Sequence, residues 1–347
     1  MAHARRVPKT APGESHSLVN IEMETLNIRL SRISKIHVDR DALTSQDALA
    51  RRELYGITLR CGPDVEQSRT LQLAVLTAAN IANRCFPGAV KIVLGPGLEE
   101  APLLLWPSLE QTFGQALVRL LGPDTLRRSN TVGQDGRTLL FGNAPTTRGA
   151  LRVTFDGWIA KVGPAAAIAA LPQREFCSLS GVLAGALAIS ELFLSFADLN
   201  IEASRRTVGL SLWRPELNIC DPLALGIQVE FLPRDLWLLG LGHLGNAYLW
   251  SLATLPYPES AAREIFLNDF DRVEPELAGK SVAVPFVGAA AATFVVAAAL
   301  RILHGGPAYT DTKLVLSDLS RRFARTTGNY SVQDLAGVNY CDASVAW

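Results

Sequence analysis

The sequence predicts an α/β fold of two Rossmann-like lobes, the first degenerate and the second carrying a GxGxxG nucleotide turn. Three observations predict it. Between Asp235 and Val273 an apolar run, Leu236–Leu239, meets Gly240-x-Gly242-x-x-Gly245. A helical stretch follows, and then a second apolar run that ends in Asp269-Phe270-Asp271. Each half of the chain also holds a long alanine- and glycine-rich stretch, Ser180–Phe193 and Phe286–Leu303.

The order strand, glycine turn, helix, strand, acidic tip is how an α/β sheet holds an adenosine nucleotide. In that reading Gly240 permits the tight turn, Gly242 lets the backbone approach a phosphate, and Gly245 lets helix and strand pack closely. The helix N-terminus supplies free N–H groups and a partial positive charge. Asp269, ending the next strand, is placed to accept both ribose hydroxyls. His243 sits inside the turn and reads as a filler of the phosphate-binding loop rather than a catalyst.

Composition narrows the function classes. Lysine plus arginine and aspartate plus glutamate both number 33 in 347 residues, so no strong charge of either sign favours nucleic acid as a partner. Hydrophobic residues reach 48% against 19% charged, enough for two substantial cores and for self-association, so a homo-oligomer is expected. Cys61, Cys85, Cys177, Cys220 and Cys341 form no CxxC, which speaks against a zinc knuckle and for a reducing cytoplasm. Cys341 is a lone candidate thiol acceptor.

Along the chain, residues 1–20 read as a disordered lead-in, 21–205 as a degenerate α/β lobe and 206–347 as the nucleotide-binding lobe. Asn27–Val38 reads as strand or mixed structure and Asp39–Leu54 as a polar helix. Helical spacing covers Gln67–Arg84, followed by a strand at Ala89–Leu94 and a second helix at Ser108–Leu121. Thr138–Phe141, Leu151–Val162 (broken by a turn at Asp156-Gly157) and Val208–Trp213 read as strands. Phe176–Phe196 reads as a long apolar helix with a small-residue face at Gly181, Ala184, Gly185 and Ala188. Gly95-Pro96-Gly97 is the nearest thing the first half has to a glycine turn. Val282–Leu300 carries no charge over 19 residues, but its alanines suit a buried helix better than a membrane span.

The elements GLGHLG and LNDFDRVEPE resemble the E1-like (ThiF-type) adenylating enzymes, here in a bacterial and divergent form. That family's signature is GxGxxG, then a strand ending D-x-D-x-V, then Asn-Leu-x-Arg. The apolar helices around Ser180 and Phe286 resemble the helix that the family places late in its domain. The resemblance implies binding of ATP and magnesium and adenylation of the C-terminal carboxylate of a small ubiquitin-like protein or peptide. It assigns Gly240, Gly242 and Gly245 to the phosphates, Asp269 to the ribose, and Asp271 with Val273 to the rest of D-x-D-x-V. Leu277 then falls where the family has asparagine, and Lys280 where it has the phosphate-contacting arginine; lysine keeps the charge but loses the bidentate fork. The family's next elements, a lysine-bearing helix and a strand ending in a magnesium-binding aspartate, have no counterpart at its spacing. Asp318, after Lys313–Ser317 and with Arg321 or Arg325 beside it, is the substitute metal ligand.

Two rivals stand beside this reading. The spacing of Gly245 and Asp269 also suits an NAD(P)-dependent oxidoreductase, although Asp271 and Val273 have no role there. The missing segment suits a non-catalytic nucleotide-binding or scaffold subunit. A P-loop at Ala278-Gly279-Lys280-Ser281 fails because Glu274 stands where glycine is needed.

Overall fold

The computed structural model describes residues 41, 43–86, 89–105, 110–123, 126–127, 137–258, 265–268, 284–329 and 340–342. The chain divides into two compact units, Met1–Ala50 with Arg272–Val282 and Arg51–Asp271 with Ala283–Trp347. In the first, the described part is the start of helix α1 (Ser45–Glu53). Thr44 caps it: its hydroxyl accepts from the Asp47 N–H at 3.1 Å and donates to the Asp47 carboxylate at 2.6 Å. The expected lead-in at 1–20 and the stretch Asn27–Val38 lie outside the described residues.

The second unit is built on β1 (Gly56–Cys61), α2 (Arg69–Cys85), β2 (Ala89–Val93), α3 (Phe113–Leu121) and β3 (Leu126–Arg127). Next come β4 (Thr138–Phe141), β5 (Leu151–Asp156), β6 (Ile159–Pro164), α4 (Leu179–Phe196) and β7 (Val208–Ser211). Together the strands make a seven-stranded mixed sheet in the order β3-β2-β1-β4-β5-β6-β7. It is parallel from β3 to β5 and antiparallel at β6 and β7. Chain order reverses direction between β1 and β4, which is where open α/β sheets put their ligand crevice.

The helices follow from local chemistry. Ser68 caps α2 by accepting from the Leu71 N–H at 3.1 Å. Thr112 and Gln115 form a reciprocal capping box on α3. Helix α4 is buried along nearly its whole length, so its apolar character is that of a core element. The small residues on it have a cause. Any Cβ at Gly181 would collide with the Thr70 carbonyl, and one at Gly185 would lie 2.6 Å from the Ala74 carbonyl, so α2 and α4 pack backbone to backbone.

The C-terminal part adds β8 (Phe231–Pro233), β9 (Leu236–Leu239), α5 (His243–Ala253), β10 (Ile265–Asn268) and α6 (Pro285–Leu303). It ends with β11 (Pro307–Leu314), β12 (Arg322–Asn329) and β13 (Tyr340–Asp342). β9 and β10 pair in parallel, with Leu236 opposite Ile265 and Leu239 opposite Asn268. β11 pairs antiparallel with β12, and β13 with β8. Helix α6 takes Pro285 as its first residue, where a missing N–H costs nothing, and packs on α4 and α5. Two β-α-β units are therefore present among the described residues, β1-α2-β2 and β9-α5-β10. The first is embedded in a seven-stranded sheet, the second in two strands. The reason is chain length: residues 94–178 separate β2 from α4, but only 269–284 separate β10 from α6.

This arrangement corrects one expectation. The turn of the first half that corresponds to a glycine turn follows β1, not β2, so Gly95-Pro96-Gly97 is not its remnant.

Candidate functional site

The second β-α-β unit carries an open glycine turn. In β9, Leu238 is buried while Trp237 and Leu239 are exposed. Gly240 has φ of +86°, the left-handed conformation that glycine adopts without a Cβ penalty. Its N–H donates to the Asn268 carbonyl at 2.7 Å, so the end of β10 anchors the turn. A Cβ at Gly245 would collide with the Gly240 carbonyl oxygen, so only glycine lets α5 begin so close to β9. Gly242 is different in kind: it is exposed, and a Cβ there meets no atom within 4 Å. Among the described residues nothing occupies the space in front of it, as a phosphate approach requires.

Gly242 is also the N-cap of α5, and no side chain accepts a hydrogen bond there; no acid occupies the first turn. Among the described residues, no side chain caps the orphan N–H groups at the positive end of the helix dipole. From inside the helix, Asn246 donates its amide to the Leu241 carbonyl at 2.5 Å and the Gly242 carbonyl at 3.0 Å. This holds both carbonyls turned toward the helix. Asn246 escaped the sequence reading, although a carboxamide directly after the third glycine was visible.

The first unit presents the opposite picture. At the C-terminal ends of β1 and β4, Asp64 accepts from the Asn143 N–H at 2.7 Å and fills the space beside Gly142. At the N-terminus of α2, Glu175 accepts from the Thr70 N–H at 3.2 Å and from the Ser68 hydroxyl. Both positions at which this fold class holds an anion are taken by the chain's own carboxylates. Neither Asp64 nor Glu175 was legible from the sequence, since each acts across a long sequence separation.

Of the other expected site residues, Asp269, Asp271 and Lys280 lie outside the described residues, as does Leu277. For His243 the structure gives only its place as the first residue of α5. Asp318 lies in the turn between β11 and β12, away from the β9–β10 pair in topology. One oxygen of its carboxylate is taken, accepting from the Ser320 hydroxyl at 2.6 Å and N–H at 3.2 Å. The Ser320 hydroxyl, more than the nearby Arg206 and Arg321, holds its pKa below the usual carboxylate value. Among the described residues, no group of three or more histidine, cysteine, aspartate or glutamate side chains is gathered for a metal.

The turn around Asp318 is itself anchored. Arg206 donates to Glu191 at 2.7 Å and to the Ser317 carbonyl at 3.0 Å, and Asn200 donates to the same carbonyl at 2.6 Å. Glu191 is 2% exposed, and its other oxygen accepts from the Ser204 N–H at 3.0 Å. At the end of α6, His304 donates from Nδ1 to the Leu300 carbonyl at 2.7 Å. Its Nε2 accepts from the N–H groups of Glu230 at 2.8 Å and Phe231 at 3.1 Å. That pattern needs a neutral ring, and burial lowers the His304 pKa accordingly.

Geometry thus defines the class: an α/β protein with two β-α-β units, one closed by its own acids and one keeping an open glycine turn. The relatives narrow this. Residues 56–212 match the family model of the BilD N-terminal domain, and residues 232–276 that of the BilD C-terminal domain. A relative described as the bacterial E1-like protein BilD, from Collimonas sp. (strain OK412), is 31% identical over 249 residues. That match covers 71% of this chain and 53% of the relative, so the chain spans about half the length of the relative it matches. The two domain models together cover more than half of the chain, and with the relative they place it in a bacterial E1-like family.

Proposed function

We propose that the turn Gly240–Gly245 binds ATP and that the protein works as a ThiF-type adenylating enzyme with reduced activity. Its substrate in this reading is the C-terminal carboxylate of a small ubiquitin-like protein or peptide, in the cytoplasm. One observation carries it: among the described residues the N-terminus of α5 is uncapped and open in front of Gly242, while the corresponding position of α2 is filled by Glu175. A helix N-terminus left open beside a glycine turn is an anion site. Asp269, the residue after the anchoring Asn268, would take the ribose, with Asp271 behind it and Lys280 neutralising phosphate charge.

Magnesium enters this reading as the companion of the ATP phosphates, since such sites need only one or two protein carboxylates. Asp318, with one oxygen already engaged, does not by itself make a metal site. The relationship to an E1-like protein does not favour the NAD(P) oxidoreductase.

Reduced activity follows from the short 269–284 connection, which leaves no room for the strands that the first half carries between β2 and α4. Pyrophosphate exchange into ATP, run with small proteins or peptides ending in Gly-Gly, tests this. Weak exchange fits the proposal, and loss of each phosphate-neutralising contact costs about 10²–10³ in rate. Robust exchange would overturn the loss of activity. Zero exchange together with zero ATP binding would overturn the adenylation reading altogether.

A further inference from the structure

Asn246 ties its side chain to the backbone that precedes it. Its carboxamide nitrogen donates to the Leu241 carbonyl at 2.5 Å and to the Gly242 carbonyl at 3.0 Å, and its backbone N–H donates to the Gly242 carbonyl at 2.9 Å. A carboxamide nitrogen carries two N–H donors, so both are engaged. The residue is nevertheless exposed and adds little to the core.

Peptide geometry turns these bonds into a direction for two donors. A trans peptide is planar, with the carbonyl of one residue opposite the N–H of the next. Holding the Leu241 carbonyl toward Asn246 therefore aims the Gly242 N–H the other way. Holding the Gly242 carbonyl does the same for the His243 N–H, which begins α5 and lies outside the helix's own bonds. Successive backbone N–H groups turned out of a turn are what the chain offers an anion. Glycine alone does not dictate this arrangement. Gly240 has φ of +86°, and Gly242 is extended in ψ at −165°. Glycine takes either sign of φ, so the peptide joining Leu241 to Gly242 is free to turn over. Turned over, it would present a carbonyl oxygen to a phosphate instead of an N–H.

We propose that Asn246 is the positioning residue of the phosphate site: without touching the nucleotide, it holds these two peptides with their N–H groups toward the ATP phosphates. The inference rests on the ATP reading of this turn and adds what sets the direction of its donors. It also gives a reason for a carboxamide at this place. Aspartate would suit the positive end of the helix dipole equally well. As a carboxylate, however, it has no N–H for the two carbonyls, and it sets a negative charge beside the phosphates.

Calorimetric titration of the full chain with ATP–Mg²⁺ and with adenosine, beside thermal unfolding, separates positioning from support of the fold. Asn246→Ala should bind ATP at least about tenfold more weakly, the scale of one charge-assisted hydrogen bond, with adenosine binding and melting temperature unchanged. Asn246→Asp should bind ATP more weakly still while melting no lower than the wild type. Asn246→Gln, which keeps the amide on a longer stem, should recover part of the affinity. If Asn246→Ala does not fold, Asn246→Asp carries the test. ATP affinity that follows melting temperature across the variants, or adenosine affinity that falls with it, would make Asn246 a structural residue and overturn the inference. Equal ATP affinity in wild type and Asn246→Ala would overturn it and leave the ATP site standing. No ATP binding by the wild type would overturn the ATP reading and this inference with it.

Discussion

A side chain of any size at Gly245 would strike the carbonyl oxygen of Gly240, so the first turn of α5 and the end of β9 fit only with glycine at 245. Gly242, three residues earlier, has no described atom in front of it within 4 Å of a Cβ. The two glycines therefore do different things, and substitutions separate them. Gly245→Ala should deform the turn and destabilise the protein by about 1–3 kcal/mol, as overpacking does. Gly242→Ala should leave the melting temperature within a degree or two. Equal destabilisation by both, measured by thermal unfolding, would mean that the space at Gly242 is not open.

Asp269→Ala should weaken ATP binding by about tenfold or more. A carboxylate accepting both ribose hydroxyls makes charge-assisted bonds of about 1.5–3 kcal/mol each. Unchanged affinity in a calorimetric titration would remove Asp269 from the site.

His304 makes stability depend on pH in a stated direction. Its folded pKa lies below the ordinary 6.5, because burial disfavours the charged ring. The unfolded chain therefore takes up the proton first, and stability falls as pH drops below about 6.5 toward the lower folded value. Protonating Nε2 also sets a new N–H against those of Glu230 and Phe231. His304→Gln, which keeps an acceptor, should flatten this part of the profile in urea unfolding between pH 8 and 5. An identical slope in the variant would assign the pH dependence to other groups.

Arg206→Met should be among the costlier single changes outside the glycine turn. It leaves the Glu191 carboxylate buried without its cation, and breaking a buried pair from one side typically costs about 3–5 kcal/mol. The double variant Glu191→Leu with Arg206→Met should recover much of that loss. A single-variant loss below about 1 kcal/mol would place the pair among surface bridges.

What could be read from the sequence was local. β9, the glycine turn, α5 and β10 follow from an apolar run, three glycines and a second apolar run, all between Leu236 and Asn268. Helices α2, α4 and α6 follow from long apolar periodicity. β1 did not stand out, although it is central in the sheet and its buried Ile57, Leu59 and Cys61 alternate with the half-exposed Thr58 and Arg60; the run is only six residues long and includes Gly56. Nor could the closing of the first unit be seen, because Asp64 meets Asn143 and Glu175 meets Thr70 only in the folded chain. Asp318 follows an apolar run, as a metal-binding acid would, and in the fold one of its oxygens accepts from Ser320 in a turn.

The central claim is that the glycine turn of the β9-α5-β10 unit binds ATP and the closed β1-α2-β2 unit does not. Calorimetric titration of the purified protein with ATP–Mg²⁺, and separately with NAD⁺ and NADP⁺, tests it directly, alongside the Gly242→Val variant. The account predicts one ATP site, lost in a Gly242→Val protein that still unfolds cooperatively, and no tight dinucleotide binding. ATP bound equally well by the variant, or tight NAD⁺ binding without ATP binding, would contradict it.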